Sequence, residues 1–210
     1  MDLIRFFETQ KSFVETCVKN SLELVIISII ISLLVWIPVG ILMTKNKRIA
    51  NIVFAIANSI FCIPSLALFS IMITIPFLGL GRKSAVIALV LYSMMPMLKS
   101  VYFGLTTIDE NIIEAAKGMG MNDIQILKEV RFPLAINRIF SGFRVSFIML
   151  IGISTIATYI GEKNIGRIIS SGLARQDMEM IVAGTLLISV LSLSMDFLLN
   201  FIEKNLIKRY

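Results

Sequence analysis

The 25 residues from Asp109 to Pro133, DENIIEAAKGMGMNDIQILKEVRFP, form a polar island between long apolar runs. Asp109 predicts the N-terminal cap of one short helix, and Asn122 predicts the cap of a second. Between them, Gly118 and Gly120 permit the backbone dihedrals that end a helix. Pro133 is expected to close the stretch, because proline cannot continue a helix. The stretch therefore predicts a helical hairpin, residues 109–133, outside the membrane.

Apolar residues recur at helical spacing along both predicted helices of the hairpin. They are Ile112, Ile113 and Ala116 in the first helix, and Ile124, Leu127 and Val130 in the second. An amphipathic helix of this kind is suited to docking in a groove of another protein. We therefore expect the hairpin to be a docking element.

The rest of the chain is too apolar for a soluble domain, since 57% of its 210 residues are apolar and its mean hydropathy is +0.87. The net charge of +6 comes from basic residues at the ends of apolar runs, which is typical of membrane flanks rather than of a nucleic-acid-binding stripe. The sequence has no histidine, and Cys17 and Cys62 are isolated. Neither a metal site, a disulfide framework nor a cofactor is therefore expected.

Runs of about 20 apolar residues are long enough to cross the hydrocarbon core of a bilayer. The five predicted spanning helices cover residues 24–44, 49–73, 84–105, 139–160 and 180–202. The second of them is expected to bend or break near Pro64. Residues 1–22 predict an amphipathic segment at the membrane surface or a lead-in helix packed on the bundle. Residues 23–210 then form the transmembrane domain.

The order of residues within the hairpin resembles a known sequence motif. Glu114-Ala115-Ala116 is followed by Gly120 and, thirteen residues after that glycine, by Pro133. This spacing resembles the EAA loop of permeases that belong to binding-protein-dependent ABC importers. The corresponding loop in this chain is residues 106–138.

The family pattern ends in I-x-L-P, and here Val130 and Phe132 replace the isoleucine and the leucine with other apolar side chains. The runs IPSLALF (Ile63–Phe69) and IEAAKGMGM (Ile113–Met121) are similar to the osmoprotectant branch of the family. That branch imports glycine betaine, carnitine, choline or proline.

The resemblance implies an all-α membrane protein with five transmembrane helices and the type I ABC importer (MetI-like) permease fold. It implies a permease subunit that couples ATPase motion to alternating access, with three kinds of partner: ABC ATPase subunits, a second permease subunit (the same chain or a homologous one) and an extracytoplasmic solute-binding protein. Membrane lipid surrounds such a subunit, and nucleic acid is not a partner. The sequence has no Walker A motif, so ATP hydrolysis is expected in a separate subunit and this chain is expected not to be an enzyme. The residues that the resemblance assigns to ATPase coupling are Glu114, Ala115, Ala116, Gly118, Gly120, Ile124, Leu127 and Pro133.

The resemblance also implies a bacterial plasma membrane location with a cytoplasmic EAA loop. Five crossings then put the C-terminus in the cytoplasm and the N-terminus outside. Twelve of the 20 Lys and Arg residues fall on the cytoplasmic side in this orientation, as the positive-inside rule favours.

Three residues are candidates for a substrate pathway. Asp196 is a carboxylate within a predicted span, where it could serve the pathway or pair with a cation such as Arg144. Because Asp196 lies close to the end of the predicted helix, the favoured interpretation is that its side chain reaches water or bonds a neighbouring serine. Tyr92 and Trp36 could contribute to an aromatic cage for a quaternary ammonium group, although an interfacial aromatic belt is the favoured interpretation.

Two other functions fit the same pattern of helices. An importer of the same architecture could carry a different small solute, such as methionine or ergothioneine. An ATP-independent secondary carrier is the alternative from another class, and it predicts inverted internal repeats.

Overall fold

The computed structural model describes residues 3–207, and the side chains of residues 6–205, as a helical bundle; no strand occurs within residues 3–207. Residues 1–2, which begin the predicted N-terminal segment, and residues 208–210, which end the predicted transmembrane domain, lie outside the described residues. The helices are α1 (Leu3–Thr9), α2 (Lys11–Met43), α3 (Lys47–Cys62), α4 (Ser65–Thr74), α5 (Arg82–Thr106), α6 (Glu110–Gly118), α7 (Asp123–Gln125), α8 (Phe132–Ser154), α9 (Gly166–Arg175) and α10 (Met178–Ile207). A π-helical turn (Ile126–Arg131) joins α7 to α8, and a 3-10 segment (Thr155–Ile160) follows α8.

Four helical stretches are long and apolar enough to cross a membrane. They are Lys11–Met43, Arg82–Thr106, Asp123–Ile160 and Met178–Asn205. Helices α3 and α4 pass the same test only as a pair, and the pair bends by 100°. The predicted all-helical membrane fold is confirmed, with the bent pair in the place of the second predicted span.

The first spanning helix begins well before the predicted start of its apolar run. Helix α2 starts at Lys11, so the predicted boundary between residues 22 and 23 falls inside it. Charged residues do not end the helix here because Lys11 pairs with Glu15, and Lys19 with Glu23, at the i, i+4 spacing of a solvated helix face.

The N-terminal residues pack on the bundle. Phe6, Phe7 and Phe13 contact a cluster that includes buried Cys17 of α2 and Ile168 of α9. This is the packing of a lead-in helix, the second of the two expectations for this segment.

Helix α5 is the centre of the bundle, with α2 and α8 packed along it. Most of its inward side chains are buried, and Leu89 and Leu98 have no exposed surface. Small residues allow the close approach, because a Cβ at Gly142 of α8 would overlap the Ser100 side chain of α5. Gly142 therefore lets α8 and α5 of one chain pack closely together.

The bend between α3 and α4 lies at Ile63–Pro64, as predicted. The Tyr92 hydroxyl donates a hydrogen bond to the Ile63 carbonyl oxygen at this break. A backbone carbonyl at membrane depth requires such a partner, since water is absent there. The partner is thus a tyrosine of another helix, α5.

The end of α5 opposite the hairpin, called here the far end, is closed by ionic contacts. The Arg82 guanidinium lies 2.9 Å from a carboxylate oxygen of Glu23 and 2.8 Å from one of Glu162, whose side chain is buried. Arg82 therefore ties α2 to the segment between the 3-10 turn and α9. Helix α9 itself lies between the fourth and fifth predicted spans, residues 139–160 and 180–202.

Candidate coupling site

Both predicted caps of the hairpin are present. An Asp109 carboxylate oxygen accepts a hydrogen bond from the Asn111 N–H at 2.9 Å. The Asn122 side-chain oxygen accepts from the Gln125 N–H at 2.9 Å, and the Gln125 side-chain oxygen accepts in return from the Asn122 N–H at 2.8 Å. This reciprocal pair is a capping box. The caps fix where each short helix begins.

The bend between the two helices depends on Gly120. Its φ of +83° is in the left-handed region, which favours glycine. The Gly120 N–H donates to the Lys117 carbonyl at 2.9 Å and the Met121 N–H donates to the Ala116 carbonyl at 3.2 Å, the two bonds of a Schellman motif. Gly118 has no positive φ and is the last residue of α6. The expectation that Gly118 also supplies special dihedrals is therefore wrong.

The hairpin has a small apolar core of its own. Ile113, Ala116 and Ile126 are buried, and Met121 and Val130 pack against them. Ala116 has 1% of its surface exposed, so a larger side chain at this position would push the two helices apart. Much of the apolar face predicted for docking is consequently internal to the hairpin.

The remaining apolar side chains point outward. Ile112 is 44% exposed, Ile124 is 65% exposed and Met119, at the tip, is 75% exposed. Ile112 thus does not share the buried face of Ile113 and Ala116. Glu114 and Ala115 are also exposed, and Glu114 has no hydrogen-bonding or ionic partner among the side chains of residues 6–205. The outer surface of the hairpin combines apolar side chains with an available carboxylate.

Pro133 does not end the second helix, contrary to the prediction. It is the second residue of α8, and the helix continues through it from Asp123 to Ile160. Proline has no N–H and its ring crowds the carbonyl four residues earlier. The preceding residues accommodate this by widening into the π-helical turn, in which the Phe132 N–H donates to the Leu127 carbonyl five residues back.

A cavity of about 490 Å³ separates the hairpin from the end of α2. Thr44 and Lys45 line one side, and Lys117, Leu127 and Arg131 line the other. Leu127 is half-buried between the cavity and α5, where it packs against the cluster of Val101 and Leu105. The cavity places the basic loop that begins at Lys45 at the same end of the bundle as the hairpin.

Asp196 has the partner that the sequence interpretation did not favour. The Arg144 Nε lies 2.6 Å from one Asp196 carboxylate oxygen, and Nη2 lies 2.8 Å from the other. The interpretation of Asp196 as a snorkelling or serine-bonded side chain is therefore wrong. The pairing joins α8 to α10.

Tyr92 and Trp36 each donate a hydrogen bond to a backbone carbonyl. Tyr92 lies within α5 with 4% of its surface exposed, and its hydroxyl is bound at the Ile63 carbonyl. The Trp36 indole N–H donates to the Val90 carbonyl at 2.9 Å. A belt position at the membrane interface is wrong for Tyr92, because the residue is in the interior of the bundle.

The sequence interpretation missed three features of this end of the molecule. Met119 at the hairpin tip carries no pattern that would distinguish it from a packing methionine. Asn200 and Glu203 join the Arg144 network at 3.3 Å and 3.2 Å from its Nη1. Their spacing from Asp196, four and seven residues along one helix, was the available signal.

The chain is similar to a known family of membrane proteins over most of its length. Residues 36–208 match the family model described as "Binding-protein-dependent transport system inner membrane component". It is 35% identical to the carnitine transport permease protein OpuCB of Listeria monocytogenes over 85% of this chain and 81% of that protein. It is 32% identical to the choline transport system permease protein OpuBB of Bacillus subtilis (97% and 93% covered) and 32% identical to the osmoprotectant import permease protein OsmW of Salmonella typhimurium (97% and 96% covered).

Solved structures share the fold at lower identity. A chain of the MetNI methionine ABC transporter in an inward-facing conformation superposes with a TM-score of 0.84 at 21% identity, over 94% of this chain and 98% of that chain. An amino acid ABC transporter with histidines gives a TM-score of 0.82 at 20% identity, over 98% and 99% of the two chains. These similarities confirm the predicted permease fold.

Proposed function

Because the chain belongs to the family of binding-protein-dependent transport system inner membrane components, we propose that it is the permease subunit of an ATP-driven importer of osmoprotectants. Glycine betaine, carnitine and choline are the proposed cargoes. The relatives named for carnitine, choline and osmoprotectant transport support this class of cargo. The same relatives favour the ABC importer over the ATP-independent carrier.

The observation that carries the proposal is the hairpin itself. It has its own caps, its own small core and a tight bend, so it can move as a unit. Its outer surface presents Met119 and Ile124 together with the carboxylate of Glu114, which has no partner among the side chains that the structure describes. An apolar surface with one charge at its edge suits a groove on an ATPase subunit that carries a basic residue nearby.

The assignment of the coupling residues follows from this geometry. Glu114 and Ala115 contact the ATPase subunit directly, together with Gly118 and Ile124 on the same exposed part of the hairpin. Ala116, Gly120 and Leu127 maintain the shape of the hairpin, and Pro133 sets the π-helical turn that joins it to α8. The EAA loop remains residues 106–138 in this proposal, within a transmembrane domain of residues 23–210.

A family of binding-protein-dependent transport components implies ATPase and solute-binding partners. We place the hairpin and the loop that begins at Lys45 in the cytoplasm, with the far end facing the solute-binding protein and the N-terminus outside. A second permease subunit, either this chain again or a homologue, completes the pathway. The chain itself is not an enzyme, since ATP is hydrolysed by the partner.

Uptake by whole cells tests the cargo. A strain without its own osmoprotectant uptake would express this chain with its cognate ATPase and solute-binding protein. We expect energy-dependent uptake of radiolabelled glycine betaine, carnitine or choline. Uptake of methionine alone would replace the proposed cargo with that of the alternative importer.

Cross-linking tests the docking surface. The exposed Cys62 is first replaced by serine, while Cys17 is buried and can stay. A cysteine at Met119 is expected to cross-link to the ATPase subunit, whereas a cysteine at Phe77, which is 98% exposed beyond α4 toward the far end, is the matched control. Cross-linking from position 77 and not from 119 would contradict the assignment of the hairpin.

A further inference from the structure

One arginine of α8 makes all its side-chain hydrogen bonds to α10. Arg144 donates two bonds to Asp196, at 2.6 Å and 2.8 Å, in a bidentate arrangement. It donates two more to Asn200 at 3.3 Å and to Glu203 at 3.2 Å. The three acceptors lie on one face of α10, so the guanidinium donates hydrogen bonds to side chains spread over about two turns of that helix.

Charges within membrane-spanning helices are costly, and they occur mainly where they serve a function. Here two carboxylates share one cation, and the side chains of Arg144, Asp196 and Glu203 are 25%, 35% and 22% exposed. If the network only filled space between α8 and α10, apolar side chains of similar size would serve as well. What apolar packing does not provide is a bidentate bond that resists sliding of one helix along the other.

The rest of α10 is held at its other end. Near its start, Gly172 of α9 and Gly184 of α10 allow close packing, since a Cβ at either position would overlap the facing helix. From residue 185 to residue 205, Leu199 is the only buried side chain. Leu199 and the partly buried Met195 pack against the main core, and Arg144 supplies the hydrogen bonds and ion pairs that join the carboxyl-terminal half of α10 to α8.

Arg144 also lies on the one helix that is continuous with the hairpin. The helical stretch from Asp123 to Ile160 contains α7, the π-helical turn and α8 without interruption. From the end of the π-helical turn at Arg131 to Arg144 is about 20 Å along the axis, at about 1.5 Å per residue. From Pro133 in its first turn to Arg144, α8 is helical throughout, so the backbone connects the hairpin to Arg144 without a loop.

We propose that Arg144 is a positioning residue that transmits displacement of the hairpin to the carboxyl-terminal half of α10. This inference rests on the proposed function, because it assumes that an ATPase subunit moves the hairpin. Asp196 receives the displacement through its bidentate bond, and Asn200 and Glu203 keep the guanidinium aligned. Loss of the contact uncouples α10 from ATP hydrolysis and leaves ATPase docking intact.

The test compares Arg144→Gln and Asp196→Asn with the charge exchange Arg144→Asp/Asp196→Arg, in the complex with its ATPase and solute-binding protein. Lys204→Gln, an exposed position on the same helix, is the matched control. We measure cargo transported per ATP hydrolysed in liposomes, and the thermal stability of each complex. Coupling between sites typically changes affinities by about 5–150-fold, so we expect a loss of transport per ATP of at least about fivefold in the single variants and partial recovery in the exchange.

A structural readout separates this inference from the cargo assignment. Amide hydrogen exchange in residues 196–205 is compared with and without ATP. The complexes used must hydrolyse ATP, but the identity of their cargo does not matter. The wild type is expected to show an ATP-dependent change that Arg144→Gln abolishes. An unchanged ATP response in a stable Arg144→Gln complex, or wild-type transport per ATP in that variant, would overturn the inference. Failure of the wild type to import any osmoprotectant, with the exchange response intact, would instead count against the proposed cargo alone.

Discussion

Replacing Gly120 with alanine would place a Cβ on a residue whose φ is +83°. The space around the glycine is open, because a Cβ there would meet no atom within 4 Å. The cost is therefore that of the left-handed backbone alone, about 1–2 kcal/mol. The substitution lowers the stability of the closed hairpin by this amount, because the Gly120 and Met121 N–H groups donate the two hydrogen bonds that close the bend. A change of this size alters the ratio of closed to open hairpin by about 5–30-fold.

The control is Gly118→Ala, two residues away. Gly118 is the last residue of α6, has no positive φ, and would also meet no atom within 4 Å. Alanine is favoured over glycine in a helix by roughly 0.5–1 kcal/mol, so this variant should be neutral or slightly stabilising. Amide hydrogen exchange of residues 117–122 should become faster in Gly120→Ala and no faster in Gly118→Ala. Equal exchange rates in the two variants would refute the assignment of the bend to Gly120.

Four further substitutions separate the shape of the hairpin from its outer surface and from the bundle. Ala116→Leu should overpack the hairpin core and destabilise the hairpin by about 1–3 kcal/mol. Ala115→Leu should leave the hydrogen exchange of the hairpin unchanged and weaken only ATPase binding, measured by titration. Faster exchange of the hairpin in Ala115→Leu would contradict the outward position of Ala115. Asn122→Ala removes the capping box and should destabilise the hairpin by about 1 kcal/mol. Amide hydrogen exchange of residues 124–126 should then become faster, and unchanged exchange would show that the cap is dispensable. Tyr92→Phe leaves the Ile63 carbonyl without its partner at the α3–α4 bend and should cost about 1–3 kcal/mol, so an unchanged Tm in detergent would argue against that bond.

The parts of the fold that could be predicted are those set by local chemistry. Apolar runs located the spans, and Pro64 located the bend between α3 and α4, because a proline leaves backbone groups unpaired wherever it stands in a helix. The caps at Asp109 and Asn122 were predictable for the same reason: each uses a side chain to satisfy backbone donors only two or three residues away.

The parts that were missed depend on contacts between distant residues. Tyr92 bonds the Ile63 carbonyl at the bend from another helix, and no single segment shows that contact. The sequence offered Arg144 as one possible partner of Asp196, but which of the alternatives holds is decided by how α8 and α10 pack. The continuation of the helix through Pro133 failed as a prediction for a different reason, because a π-helical turn can absorb a proline that would end a regular α-helix. At the hairpin, spacing identified its apolar residues but could not decide which of them, such as Ile112 and Ile113, face outward or inward.

The most direct test of the central claim is ATP-driven uptake by purified components in liposomes. This chain and its ATPase would be reconstituted with ATP inside, and the solute-binding protein and radiolabelled osmoprotectant would be supplied outside. The account predicts accumulation of the osmoprotectant that requires both lumenal ATP and the binding protein, and that falls sharply in Ala115→Leu while the permease subunit alone keeps its thermal stability. Accumulation without ATP, or full ATP-driven uptake in Ala115→Leu with the ATPase no longer bound at the hairpin, would contradict it.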